Sequence, residues 1–139
     1  MKFSGYLLEK GRLYGLKDYP ECMKHMFSED CELVVSQNIP LIYNHDHESV
    51  DACLGHLINY RWEGNKLWCE FEVTSQILIN QIALGEDTFY IGGYYGHIIF
   101  KADSFKADSV CNVIKKCTLL EISVLPEPYC EDNFITKEE

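Results

Sequence analysis

Hydrophobic and polar residues alternate along much of the chain, which is the pattern of β-strands that bury one face. Such alternation is present in "KFSGYLLEKGRLYG" at the start, in "IPLIYNHD" and in "CTLLEISVLPEPY" near the end. The segment "CLGHLINYRWEGNKLWCEFEV" has two alternating runs around Glu63-Gly64-Asn65, and Gly64 can supply the positive φ of a hairpin turn. These segments predict a chain that consists mainly of strands.

Two segments break the alternation and carry the signals of short helices. In "TSQILINQIALGED" the apolar residues recur at helical spacing, Thr74 or Ser75 can cap the first turn, and Gly85 can end the helix. In "DYPECMKHMFSED" Asp18 and Glu21 have the spacing of a capping box at the start of a second helix. The segment "KADSFKADSV" is polar, and we expect it to be a loop.

The length and composition fit one globular domain. The chain has 139 residues, of which 47% are hydrophobic and 24% charged, so it can bury a core of its own. Together with the pattern, this predicts a strand-rich α+β domain over residues 1–130. Residues 131–139 are expected to be an acidic C-terminal tail or the start of a linker.

Charge and cysteine content narrow the class of partner. The formal charge is −10, whereas nucleic acids and anionic membranes are bound through clusters of Lys and Arg. No apolar run approaches the ~18 residues of a membrane-spanning helix. The seven cysteines include no CxxC pair and no secretory segment opens the chain, which indicates reduced cysteines in an intracellular protein. We therefore predict neither a nucleic-acid partner nor a membrane partner.

Four segments, taken in order, resemble a known family. They are "FSGYLLEKGRLYG", the Asn-His-Asp element with its following hairpin, "GEDTFYIGGYYG" after a helix, and "LLEISVLPEP". This ordered set resembles the prohead proteases of tailed bacteriophages, which share a fold with the herpesvirus capsid protease assemblin. The resemblance covers nearly the whole chain. It implies a small, strongly curved and mostly antiparallel barrel.

The resemblance also implies roles for individual residues. The general base of the family falls on His45 in "NHD", and the acid that orients it falls on Glu121 in "LLEIS". The catalytic serine of the family falls on Tyr90, whose phenol is a bulky and weak nucleophile towards an amide. The candidates for a relocated nucleophile are other hydroxyl or thiol groups, namely those of Thr88, Cys117, Thr118 and Ser123. A hydroxyl or thiol other than Tyr90 within ~3 Å of His45 would contradict the inactive form and indicate an active enzyme.

The function implied by these residues is phage capsid assembly. We predict a protein that has the protease fold, lacks peptidase activity and acts as a scaffold-like or assembly partner in the host cytoplasm, within or on assembling proheads. Its partners would be capsid and scaffolding proteins, with a homodimer as one expected state, and no cofactor is expected. The alternative is an active maturation protease with a relocated nucleophile, cleaving scaffold and coat-protein segments.

Two further features of the sequence, a group of histidines and an aromatic strand, each allow a functional interpretation. His45, His47, Cys53 and His56 lie within twelve residues, which offers a distant alternative, a metal-binding domain built on His45, His47 and His56. Tyr94 and Tyr95, with Phe89 and Tyr90, form an aromatic strand. Strand packing explains such a strand, and a contact platform for another chain is the functional alternative.

Overall fold

The computed structural model describes residues 1–14, 24–86, 88–106 and 109–138. These residues form nine strands and one short α-helix. The strands are β1 Lys2–Glu9, β2 Leu13–Tyr14, β3 His25–Val35, β4 Pro40–Tyr43, β5 Cys53–Glu63, β6 Lys66–Val73, β7 Thr88–Lys106, β8 Ser109–Val124 and β9 Phe134–Lys137. The helix α1 spans Gln76–Ala83, and a 3₁₀ turn spans Val50–Ala52. In this part of the chain no helix has the length and apolar character needed to cross a membrane.

Seven of the strands close into a barrel in the order β8, β4, β5, β6, β1, β9, β7 and back to β8. Only the β4–β8 pair within this ring is parallel; its other pairs are antiparallel. Strand β3 pairs in parallel with β8 outside the ring, and the short β2 pairs with β3. The expected strand-rich, mostly antiparallel barrel is therefore confirmed.

The alternation along the strands reflects the inside and outside of this barrel. In β6, Leu67, Cys69 and Phe71 are fully buried, while the residues between them are partly exposed. This is the outcome expected when successive side chains point to opposite faces of a strand. The same core contains completely buried side chains from β1, β4, β8 and β9: Phe3, Leu41, Leu119 and Ile135.

Local signals in the sequence placed several elements correctly. The predicted hairpin is formed by β5 and β6, and Gly64 at its turn has a φ of 62°. The predicted helix is α1, with Ser75 at its N-cap position and Gly85 at a φ of 97° just after its end. The side chain of Ser75 makes no capping hydrogen bond, so Ser75 occupies the N-cap position without stabilising the helix end through its hydroxyl.

Two predictions about less regular segments meet a different outcome. The helix predicted from Asp18 begins in residues 15–23, which lie outside the described residues, and the rest of that stretch, 25–30, belongs to β3. The loop predicted for "KADSFKADSV" is wrong, because 101–106 continue β7 and 109–110 begin β8. Backbone pairing between these two strands extends this far, as in the pair Asp103 and Cys111, and such pairing does not require apolar residues.

Residues 131–139, expected as a tail or linker, contribute a strand to the barrel. β9 lies between β1 and β7, and Ile135 in it is completely buried. Just before the strand, the Asn133 side-chain amide donates a hydrogen bond to the Leu7 carbonyl. Gly5 on β1 faces Ile135, and a Cβ at Gly5 would lie 1.8 Å from the Phe134 carbonyl oxygen. The close approach of β1 and β9 therefore depends on glycine at this position.

Candidate functional site

The loop after β4 fixes the position of His45. Asn44 and His45 both have left-handed backbone conformations, with φ of 49° and 54°. Such conformations are unfavourable for residues other than glycine, so surrounding bonds must hold them. The Asn44 N–H donates to the Val124 carbonyl at 2.9 Å, and the His45 N–H donates to Ser123 Oγ at 3.0 Å. These bonds fasten the loop to the end of β8.

His45 and Glu121, which the family resemblance pairs, lie in contact. The Nδ1 atom of His45 lies 2.5 Å from Glu121 Oε1. The Glu121 residue is 1% exposed, whereas the His45 side chain is 38% exposed. A buried carboxylate needs a partner, and a carboxylate can only accept, so Nδ1 is the nitrogen that carries the proton. In the neutral ring, Nε2 is then the basic nitrogen.

A second histidine approaches the same carboxylate. His47 Nε2 lies 3.1 Å from Glu121 Oε2, which is an ion-pair distance, although its angles are not those of a hydrogen bond. The Tyr94 ring lies 6.1 Å from both imidazole rings, measured between centroids. The sequence pattern indicates only a metal-ligand role for His47. Because His47 lies two residues after His45, both side chains can point to the same face of an extended segment. This spacing is the feature of the sequence that could have indicated a shared contact with Glu121.

Ser123 is the one relocated-nucleophile candidate that contacts His45 in the described part of the chain. Its Oγ lies 3.1 Å from His45 Nδ1, on the nitrogen that Glu121 also contacts. Ser123 is completely buried, and its Oγ already accepts the His45 backbone N–H. Because Ser123 lies two residues after Glu121 on one strand, both side chains reach the same ring. The arrangement makes Ser123 a positioning residue for His45.

The other candidate nucleophiles lie elsewhere. Tyr90 pairs with Phe134 of β9, and with Thr88 it lines a second cavity whose lining does not include His45. Thr118 pairs with Gly96 farther along β8. Cys117 is completely buried, and its hydrogen bond with Cys31, together with burial, raises the pKa of its thiol. A raised pKa leaves the thiol protonated and unreactive.

The histidines of the metal alternative are not brought together. His45 and His47 share Glu121, but His56 lies on β5 opposite Pro40 and Glu72. Among residues 1–14, 24–86, 88–106 and 109–138, no group of three or more His, Cys, Asp or Glu side chains could hold a metal ion. The structure therefore gives no support to a site built on these three histidines.

Only part of the aromatic strand is exposed on the protein surface. Tyr94 is 51% exposed, but Tyr95 points into the core, where its ring centroid lies 5.4 Å from that of Phe27. Burial raises the pKa of the Tyr95 phenol well above its ordinary value. This difference is the ordinary alternation of a strand, in which successive side chains point to opposite faces. The predicted platform of Tyr94 and Tyr95 is thus reduced to Tyr94.

A cavity of about 470 Å³ lies beside His45, and several aromatic rings are part of its lining. Tyr14, His25 and Tyr129 stack in its wall, with centroids about 6 Å apart. Burial lowers the pKa of His25, so this ring is neutral in the folded protein near neutral pH. Gly92 lines the same cavity and pairs with Ser123, so the strand carries no side chain at the point opposite Ser123.

Comparisons of the chain with protein-family models, with curated proteins and with solved structures each give no match. The likeness to prohead proteases therefore depends on the sequence motifs alone. It remains a prediction.

Proposed function

We propose that this chain is a phage capsid-assembly protein with a prohead-protease-type fold that acts as a scaffold-like or assembly partner without hydrolysing peptides. The ordered motifs, the strand-rich barrel and the His45–Glu121 pair support this proposal. The observation that carries it is that the hydroxyl in contact with His45 belongs to Ser123, which is completely buried, while the serine position of the family is occupied by Tyr90. Under this proposal His45 and Glu121 would be retained without the nucleophile that the base of a protease serves.

The chemistry of peptide hydrolysis explains why this pair is insufficient. A serine nucleophile must lie within about 3 Å of the nitrogen that accepts its proton, and its oxygen must reach the substrate carbonyl. In a triad the acid and the nucleophile contact opposite ring nitrogens. Here Glu121 and Ser123 contact the same nitrogen, and Ser123 is inaccessible. This geometry supports a base that is held but has no nucleophile to activate.

One observation favours a second candidate function. Ser123 Oγ lies 3.1 Å from His45 Nδ1, which meets the distance expected of a relocated nucleophile and counts in favour of an active protease, although Glu121 contacts the same nitrogen. Under this alternative the imidazole would have to rotate so that Nε2 faces Ser123, and the loop would have to open to admit a peptide. Cleavage of coat or scaffolding protein would then depend on both His45 and Ser123.

Co-expression of the chain with the coat and scaffolding proteins of its phage separates the two functions. The proposal predicts that particles form in larger yield when the chain is present, that no protein is shortened, and that Ser123→Ala leaves this unchanged. Tyr94→Ser should lower the particle yield because Tyr94 is the exposed part of the aromatic strand. Tyr60→Ser is the matched control, since Tyr60 is 46% exposed on β5. Shortened products that disappear in Ser123→Ala would instead establish the protease.

A further inference from the structure

A second cavity, of about 630 Å³, lies between α1 and the adjoining ends of β4, β7 and β8. Its wall is apolar and includes the buried side chains of Leu54, Leu78 and Phe89. Two large apolar side chains on its lining stay open to solvent, Tyr43 at 45% and Ile77 at 57% exposure. Exposed apolar side chains that adjoin a concave apolar wall are typical of a binding surface.

The same cavity has a one-sided charge. Its lining contains three carboxylates, on Asp46, Asp51 and Glu86, and none of the described lining residues is Lys, Arg or His. Asp46 is held in place because its Oδ1 accepts the backbone N–H groups of Glu48 and Ser49. The carboxylates come from both sides of the cavity, the loop after β4 and the end of α1. A negatively charged rim around an apolar wall attracts cationic and apolar groups together and repels nucleic acids and anionic lipids.

We infer that this cavity docks a peptide segment of another protein in which a large apolar side chain is flanked by Lys or Arg. The apolar side chain would lie against Leu54, Leu78 and Phe89, and the flanking cations would face Asp51 and Glu86. A volume of about 630 Å³ accommodates a few side chains of a short segment. The inference does not depend on the capsid role, because it uses neither His45 nor Glu121.

Selection from a displayed library of random peptides against the immobilised full chain tests this inference. Enriched peptides are then synthesised with a fluorescent label, and their affinity is measured by anisotropy. We expect enriched sequences to carry Lys or Arg beside Leu, Ile, Met or an aromatic residue. An exposed ion pair contributes up to about fivefold in affinity. The double variant D51N/E86Q should therefore weaken binding by about 3- to 20-fold.

Matched variants separate the cavity from a general effect of charge or hydrophobicity. Glu127→Gln removes one carboxylate from the lining of the cavity beside His45 and should leave the affinity unchanged. Ile77→Ser should weaken binding by about 5- to 10-fold, whereas Ile58→Ser, at an exposed position on β5 outside the cavity, should not. All five substituted positions are exposed, so the variants should fold.

Three results would overturn the inference. They are a selection that enriches no peptide, enriched peptides without basic residues, and equal binding to the wild type and to D51N/E86Q. Because no capsid protein enters this experiment, its failure would leave the proposed capsid role untouched. The reverse also holds.

Discussion

Replacing Gly5 by alanine tests whether the C-terminal strand closes the barrel. The new Cβ would lie 1.8 Å from the Phe134 carbonyl oxygen and 2.8 Å from its carbonyl carbon, whereas ordinary contacts begin near 3.4 Å. Both atoms are backbone, so β9 must move away from β1 by about 1.6 Å. Each backbone hydrogen bond lost costs about 0.5–1.5 kcal/mol, and partial exposure of Ile135 adds to this. We expect the free energy of unfolding to fall by about 3 kcal/mol or more.

Urea unfolding followed by circular dichroism measures this loss, and hydrogen exchange locates it. Amides of residues 134–138 should exchange faster in Gly5→Ala than in the wild type. Gly64→Ala is the matched control, because no atom lies within 4 Å of its Cβ and only its φ of 62° is unfavourable. That variant should lose about 1 kcal/mol. Equal stability of the two variants, with β9 still protected, would refute the role assigned to the C-terminal strand.

Three further predictions concern titratable groups. Glu121→Leu removes both acceptor oxygens, so nitrogen chemical shifts should show that His45 no longer carries its proton mainly on Nδ1; an unchanged tautomer would contradict the pairing. Burial lowers the pKa of His25, so below about pH 6.5 the unfolded chain binds a proton at this residue more readily than the folded protein does. The free energy of unfolding should therefore fall as the pH drops below about 6.5, by at most about 1.4 kcal/mol per pH unit. His25→Phe should remove this contribution to the dependence of the unfolding free energy on pH. An identical pH profile in the variant and the wild type would contradict the role of His25. Iodoacetamide should alkylate the exposed Cys53 in the native protein but not Cys69, because burial raises the pKa of Cys69 to about 12; mass spectrometry of the peptides decides this.

Local signals explain which parts of the fold could be predicted from the sequence. The β5–β6 hairpin and α1 each depend on residues close in the chain, such as Gly64 at the turn and Gly85 after the helix. Strand β9 has four residues, and its partner β1 lies at the other end of the chain. A short strand whose partner is so distant carries too little periodicity to be separated from a tail. The polar end of the β7–β8 hairpin was missed because pairing, rather than hydrophobicity, keeps it extended.

In the candidate site, too, features that depend on residues distant in the chain could not be predicted from local sequence. His45 and Glu121 are 76 residues apart, so no local pattern joins them, and the family resemblance was what paired them. The contact of Ser123 with His45 depends on the register of β4 against β8, in which Ile42 pairs with Ser123. That register cannot be read from either strand alone. The different directions of Tyr94 and Tyr95, by contrast, follow from the alternation of side chains along a strand and could have been predicted from the sequence.

Intact-protein mass spectrometry of coat and scaffolding proteins co-expressed with this chain tests the central claim most directly. The wild-type chain and His45→Ala should give the same full-length masses for both partners, because His45 has no accessible nucleophile to activate. Shortened coat or scaffolding protein with the wild-type chain, and full-length protein with His45→Ala, would contradict the account and establish an active protease.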